Sequence, residues 1–120
     1  MTDSPPSSTF RLNASREGEE ARLALIGELD LSVREDLLAA IASALASAPA
    51  ALVLDLASLA FVDSAGLAAI LLASRLADEA GIPLRVTPGP TAVQRRFELA
   101  GLTALLPFLA GSGATPPPAL

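Results

Sequence analysis

The chain contains no histidine, cysteine, tryptophan, tyrosine or lysine among its 120 residues. It therefore has no imidazole base or metal ligand, no thiolate nucleophile and no lysine amine for a Schiff base or a phosphate-gripping loop. We expect no enzymatic activity, no cofactor and no metal site. The absence of cysteine also excludes a disulfide framework.

Positive charge and aromatic rings are both scarce. The chain has eight basic residues, all of them arginine, and 13 acidic residues, which gives a net charge of -5. Only 3% of the residues are aromatic. This balance argues against a nucleic-acid groove and favours a protein partner. No apolar run approaches the roughly 20 residues that span a bilayer, and Met1–Ser8 lacks the pattern of a signal peptide. We therefore expect a cytoplasmic protein with no membrane contact.

Four segments have the patterns of β-strands. Residues 10–15 and 23–27 alternate between apolar and other side chains, and the charged stretch Arg16–Glu20 separates them, so they predict a hairpin. Leu52–Leu56 is nearly all apolar, as in a central strand that is covered on both faces. Pro83–Thr87 predicts a further short strand.

Three segments have helical spacing. The first covers roughly residues 33–47 and follows Ser32–Glu35, which has the pattern of a capping box. The second covers Ser64–Ala80 and ends at a glycine. Thr91–Gln94 has the pattern of another capping box, and the helix that it opens ends at Gly101. Residues 102–109 are compatible with a short strand or a helical turn, because Pro107 interrupts both patterns.

These elements predict one α/β domain over residues 9–110, because 120 residues with 52% hydrophobic content can bury one core but not two. Its mixed sheet should have about four to five strands, covered by about three to four helices. Residues 1–8 and 111–120 contain little apolar surface, and we expect both to be flexible tails.

The most informative segment is Asp63–Leu67, between a buried apolar run and the second helix. A serine at this point has its hydroxyl beside unpaired backbone N–H groups at the positive end of a helix dipole, a position that tolerates a phosphate. The alternative is that Asp63 or Ser64 simply caps the helix.

The helix that begins at Ser64 should present a small apolar patch. A helical wheel places Ser64, Ala68 and Leu71 on an outward stripe, with Leu67 beside it. A partner's backbone would approach such a patch closely, and a dianion would spoil it, although alanine and leucine are common in any helix. Gly66 has a low helix propensity, which indicates close approach of another backbone, either the partner's or that of a neighbouring strand.

Three blocks in register resemble the STAS domain of anti-anti-sigma factors, also called anti-sigma factor antagonists: Gly27–Asp30, Asp55–Leu67 and Arg95–Leu102. The resemblance covers residues 8–109. It implies a regulator whose Ser64 is phosphorylated by an anti-sigma factor that is a serine kinase. The unphosphorylated form would bind this kinase and free a sigma factor for transcription, the phosphorylated form would be released, and a serine phosphatase would reset the switch.

The resemblance also implies that Asp30 and Asp63 add negative charge near Ser64, although each has a structural alternative, as a turn residue and as a helix cap. The predicted partner-binding residues are Asp30, Asp63, Ser64, Ala65, Gly66, Leu67, Ala68 and Leu71. STAS domains also occur in non-switching scaffolds and in lipid-transport complexes. In that alternative Ser64 is only a cap.

Overall fold

The computed structural model describes residues 10–109, which form five strands, three α-helices and two short 3-10 turns. The expected α/β domain with a mixed sheet is confirmed. The flexible tails predicted at residues 1–8 and 111–120, and the domain limits at 9 and 110, lie outside the described residues. Within this range no helix is both long enough and apolar enough to cross a membrane.

The first two strands form the predicted hairpin but extend further into its turn. β1 (Phe10–Glu17) pairs antiparallel with β2 (Glu20–Leu29), so the turn is only two residues long instead of spanning Arg16–Glu20. Gly18 opens the turn with a φ of 60°. A glycine with positive φ at the first central position suits a tight hairpin whose twist matches that of its strands.

The other three strands run parallel to their neighbours. β3 (Ala51–Asp55) pairs with the first half of β2 and with β5 (Leu84–Thr87), which confirms it as the central strand. β4 (Leu59–Val62) pairs with the second half of β2. The sequence did not predict this strand, because residues 50–62 are one apolar run. The break arises where the Asp55 Oδ1 atom accepts a hydrogen bond from the Ala57 N–H at 2.9 Å.

The helices lie where the spacing predicted them: α1 (Arg34–Ala46), α2 (Ser64–Glu79) and α3 (Thr91–Leu99). The capping box at Ser32 is wrong, because the Ser32 hydroxyl donates to the Asp30 Oδ1 atom at 2.6 Å and α1 begins without a side-chain cap. A 3-10 turn at Leu31–Val33 precedes α1 instead.

The second capping box, at Thr91–Gln94, is also wrong. The residue before α3 is Pro90, and no side chain caps the helix there. The Gln94 Oε1 atom nevertheless reaches back and accepts a hydrogen bond from the Gly89 N–H at 2.9 Å. Residues 102–109 contain both structures that their pattern allowed, since a 3-10 turn at Thr103–Leu105 is followed by a bridge from Phe108 to β5.

The core lies between the sheet and the helices. β2 buries alternate residues from Ala21 to Leu25, and again Leu29, whereas the first four residues of β3 are all buried, as expected for a central strand. The Phe97 ring of α3 is fully buried and packs edge-to-face against the Phe108 ring, with the centroids 5.2 Å apart. α3 also packs against β4, and its Arg96 and Leu99 share a small hollow with Leu67 of α2. The ends of β2 and β4, the start of α2 and α3 therefore share one region of the molecule.

Candidate functional site

The start of α2 is held by the side chain of Asp63. This residue follows β4, and its Oδ1 atom accepts a hydrogen bond from the Gly66 N–H at 2.8 Å, which is an N-cap. The Oδ2 atom accepts from the Leu31 N–H at 3.3 Å. Asp63 therefore joins the start of α2 to the turn after β2. The helix does not need the Ser64 hydroxyl as its cap.

Asp30 and Asp63 follow the ends of neighbouring strands. Leu29 and Val62 are paired in the parallel ladder between β2 and β4, so the strand ends converge as the resemblance implied. The Asp30 Oδ1 atom accepts hydrogen bonds from the N–H and the hydroxyl of Ser32, at 3.0 and 2.6 Å. Both aspartates thus have the structural roles that the sequence left open, and both lie at the end of the sheet where α2 begins.

Gly66 lies directly on the neighbouring strand. A Cβ atom on this residue would lie 2.8 Å from the Leu29 carbonyl oxygen, and the same distance from side-chain carbons of Leu29 and Val62. Real Cβ atoms do not approach other heavy atoms so closely. Of the two explanations for a glycine here, close approach of a partner or of a neighbouring strand, the internal one is therefore correct, and glycine lets α2 pack tightly onto β2 and β4.

The outward stripe of α2 begins at Ser64, the first residue of the helix, which is exposed. Ala68 is exposed one turn later, and Leu71 is half-buried. Leu67 faces the core and is only 7% exposed. Ala65 is half-buried, so the surface that α2 contributes around the hydroxyl is smaller than the wheel indicated.

Leu71 also lies further from the hydroxyl than the other predicted residues. It lines a separate hollow of about 630 Å³ with Arg75 and Asp78 of α2 and with the chain around Leu105. Of the eight predicted partner-binding residues, the structure thus groups five at the helix start, with Leu67 beneath them, Ala68 one turn on and Leu71 at the second hollow.

Sequence reasoning missed three exposed apolar side chains near Ser64. Leu31 is 68% exposed, Phe61 is 41% exposed and Leu99 is 78% exposed. The Leu31 backbone is bonded to Asp63, and Phe61 precedes Ser64 by three residues. Since α3 buries residues 93 and 97, an apolar residue at position 99 is off the buried face, and this mismatch was a usable signal.

A small hollow lies beside these side chains. Its volume is about 280 Å³, and its lining residues are Leu67, Arg96, Leu99 and Ala100. The Arg96 guanidinium carbon lies 5.6 Å from the centre of the Phe61 ring, within the range of a cation–π contact. The surface around the start of α2 therefore combines apolar side chains with the positive Arg96 and the negative Asp30 and Asp63, and α3 contributes to it as well as α2.

The comparisons with known proteins agree with this fold. The family model described as "Mlab, STAS domain" matches residues 12–107. Among curated proteins, none matches the sequence at a significant level.

Several solved structures share the fold. An anti-sigma factor antagonist from Mycobacterium paratuberculosis has a TM-score of 0.77 at 23% identity, with 86% of this chain and 87% of that chain covered. The phosphorylated form of the Bacillus cell fate determinant SpoIIAA has a TM-score of 0.64 at 22% identity, with coverages of 88% and 93%.

A third solved structure is RsbS from Moorella thermoacetica, in a variant with glutamate in place of a serine. Its TM-score is 0.65 at 26% identity, and the match covers 85% of this chain and 88% of that chain. The similarity to all three structures extends over nearly the whole described domain. Together with the family model, which matches most of the sequence, these findings show that the chain belongs to the STAS domain family.

Proposed function

We propose that this protein is an anti-sigma factor antagonist that is switched by phosphorylation of Ser64. The unphosphorylated form binds an anti-sigma serine kinase and frees a sigma factor, and a serine phosphatase restores this form after phosphorylation. One observation carries the proposal: Ser64 is exposed at the first position of α2, while Asp63 supplies the cap. A hydroxyl that the helix does not need as a cap is accessible to a kinase.

The position of Ser64 suits a phosphate. Phosphorylation adds about 1.5 to 2 negative charges, and a helix N-terminus stabilises a negative charge by about 0.3 to 1 kcal/mol. The Asp63 carboxylate already accepts a hydrogen bond from the Gly66 N–H, so phosphorylation of Ser64 does not displace the helix cap. We therefore expect the phosphorylated domain to keep its fold.

The same charge would oppose binding of the kinase. Leu31 and Phe61 are exposed next to the segment that carries Ser64, and Leu99 is exposed at the hollow that Leu67 lines. A partner that covers these side chains would also desolvate the hydroxyl. A phosphate buried in such an interface loses its hydration, and like charges brought together there cost several kcal/mol. About 5.5 kcal/mol shifts occupancy from 99:1 to 1:99, so this term is large enough for a switch.

Structural neighbours support the proposal. The Mycobacterium paratuberculosis protein is described as an anti-sigma factor antagonist, and the Bacillus protein was solved in a phosphorylated form. If this chain acts in the same way, its place of action is the cytoplasm, where sigma factors and RNA polymerase work. It would need no cofactor of its own, because the kinase supplies the ATP.

The experiment is a phosphorylation assay with candidate anti-sigma kinases, ATP and three proteins: the wild type, Ser64→Ala and Ser58→Ala. Ser58 is an exposed serine in the turn before β4 and serves as the matched control. We expect phosphate on the wild type and on Ser58→Ala, mapped to Ser64 by mass spectrometry, and none on Ser64→Ala. Modification of Ser64→Ala at the wild-type rate would rule out this site.

Binding measurements complete the test. Ser64→Ala should bind the kinase constitutively, because a methyl group keeps the surface small and uncharged. Ser64→Asp should fold normally and bind more weakly, but only in part, because a carboxylate carries about half the charge of phosphate. Equal affinity of Ser64→Asp and the wild type at low salt, where electrostatic effects are largest, would show that charge at Ser64 is not the switch.

A second candidate function is a non-switching STAS scaffold or lipid-transport subunit. The matching family model carries the description "Mlab" and not that of an anti-sigma factor antagonist, which is the observation in its favour. This candidate requires that no kinase modifies Ser64 and that Ser64→Asp leaves partner binding unchanged. The same phosphorylation and binding assays therefore distinguish the two functions.

A further inference from the structure

The edges of the sheet are not equally protected. The outer edge of β5 is occupied by the chain itself, because the Val86 N–H donates to the Pro107 carbonyl at 3.0 Å and the Leu109 N–H donates to the Val86 carbonyl at 2.8 Å. α3 packs against β4. Within residues 10–109, no segment pairs with the outer edge of β1, an eight-residue strand. Such an edge is a template for another strand.

The backbone groups at this edge follow from the hairpin. Glu17 and Glu20 flank its two-residue turn, and residues in this position exchange hydrogen bonds with each other. Because the pattern alternates along an antiparallel pair, the N–H and carbonyl groups of Leu12, Ala14 and Arg16 point away from β2. Those groups would pair with a further antiparallel strand.

The charges on β1 are self-complementary. Arg11 and Glu17 lie near opposite ends of the strand and are both exposed on the same face of the sheet. When two copies of β1 are paired antiparallel about Ala14, Arg11 of each copy lies opposite Glu17 of the other. This register also puts the outward backbone groups of both copies in hydrogen-bonding positions, since Leu12 faces Arg16.

At its turn, the hairpin places two negative side chains opposite each other. Glu17 lies directly opposite Glu20, and like charges in this position are destabilising. Arg85 donates to Glu20 at 2.8 Å, but among the described residues no ion pair involves Glu17. An arginine from a second copy would compensate the Glu17 charge.

The helix-covered side of β1 has room for a second strand's side chain. A hollow of about 470 Å³ lies there, and its walls include Ala14 and Arg16 of β1 and the small residues Ser43, Ala44 and Ser47 of the α1 region. In the register about Ala14, Leu12 of a second copy would lie next to Arg16 and face this hollow. The charges, the backbone groups and the hollow thus all favour the same register, the one centred on Ala14.

We propose that β1 pairs antiparallel with β1 of a second copy, in the register that places Arg11 opposite Glu17, so that two sheets become one. The contact consists of two eight-residue strands and is small by the standard of stable dimers. The dimer is therefore weak and dependent on protein concentration. β1 and β4 pair with opposite edges of β2, and α2 begins after β4, so the contact does not use the residues proposed for the switch.

The test uses charge reversals and sedimentation equilibrium at low salt. In Arg11→Glu, and equally in Glu17→Arg, two attractive pairs become two repulsive ones, and we expect dimerisation to weaken by at least about tenfold. A mixture of the two variants restores complementary pairs in the heterodimer, as does the double variant in a homodimer. Arg95→Glu and Glu79→Arg make the same changes in charge on exposed residues of α3 and α2. These controls should dimerise like the wild type.

Amide hydrogen exchange gives the second readout. Raising the protein concentration should protect the N–H groups of Leu12, Ala14 and Arg16 and leave other exposed amides unchanged. A wild type that stays monomeric at millimolar concentration would overturn the proposal. So would a dimer that both reversals leave intact, or one that the mixture of the two variants fails to restore.

Discussion

Replacing Gly66 by alanine tests how α2 is positioned. The added Cβ atom would lie 2.8 Å from the Leu29 carbonyl oxygen, a backbone atom of β2 that cannot move without disturbing the ladder with β4. Val62 and the Leu29 side chain, both fully buried, are equally close. Helix α2 must therefore shift away from the sheet, and the shift involves the segment that carries Ser64.

The magnitude follows from two opposing terms. Overpacking of a core typically costs about 1–3 kcal/mol, whereas alanine gains up to about 1 kcal/mol over glycine in a helix. The gain is smaller in the first turn, so we expect a net loss of about 1–2 kcal/mol. In a domain of this size that corresponds to a fall of roughly 5–10 °C in melting temperature.

The assay is thermal and urea unfolding of the isolated protein, with Ala68→Gly as the control. Ala68 is exposed on the same helix, and its replacement by glycine should cost about 1 kcal/mol from helix propensity alone. Gly66→Ala and Ala68→Gly should thus both destabilise the protein. Helix propensity alone predicts opposite effects for these two exchanges and cannot explain this result. A Gly66→Ala variant at least as stable as the wild type would refute the internal contact as the reason for glycine.

Two further changes test the architecture of the site. Asp63→Ala removes the cap of α2 and the bond to the Leu31 N–H, and should lower the free energy of unfolding by about 1–2 kcal/mol, with a smaller loss in Asp63→Asn. Equal losses in the two variants, measured by urea unfolding, would contradict the capping role. Phe97→Ala should cost about 3–5 kcal/mol, because the ring is fully buried against Phe108; a loss below about 1 kcal/mol in the same assay would mean that α3 is not anchored there.

Local patterns in the sequence were sufficient to predict the three helices and the central strand. Helical spacing marks all three helices, and a terminal glycine marks the last two. Leu52–Leu56 is apolar at nearly every position because β3 is covered on both faces. β4 was missed for a physical reason. Its break from β3 depends on the Asp55 side chain turning back to the Ala57 N–H, and neither glycine nor proline marks this point.

The wrong capping box at Ser32 shows how one side chain competes with another. Ser32 and Glu35 have the spacing of a capping box. The Ser32 hydroxyl nevertheless donates a hydrogen bond of 2.6 Å to the Oδ1 atom of Asp30, two residues earlier in the chain. Asp30 also accepts a hydrogen bond from the Ser32 N–H, so it caps a 3-10 turn at Leu31–Val33, and α1 begins only at Arg34, beyond the position that a cap at Ser32 requires. A spacing rule that considers one pair at a time cannot include this third residue.

The candidate site likewise has one part that local sequence predicts and one part that it does not. The position of Ser64 at a helix start follows from local sequence, because a strand pattern ends and a helix pattern begins there. The contribution of α3 depends on tertiary packing, because Phe97 packs against Phe108, Arg96 lies over the Phe61 ring of β4, and Leu99 lines a hollow with Leu67 of α2. No local pattern contains this neighbourhood.

The start of α2 is held by residues other than Ser64, so its folding is separate from the switching proposed for Ser64. Asp63 supplies the cap, and Gly66 lets α2 pack closely onto the strand below, so the helix start is fixed by residues other than Ser64. A charge added to the Ser64 hydroxyl therefore meets a backbone that other residues already hold in place. The added charge should then mainly change the free energy of partner binding, because it is costly to bury a dianion against apolar groups. A serine placed after its own helix cap is thus well suited to control binding without controlling stability.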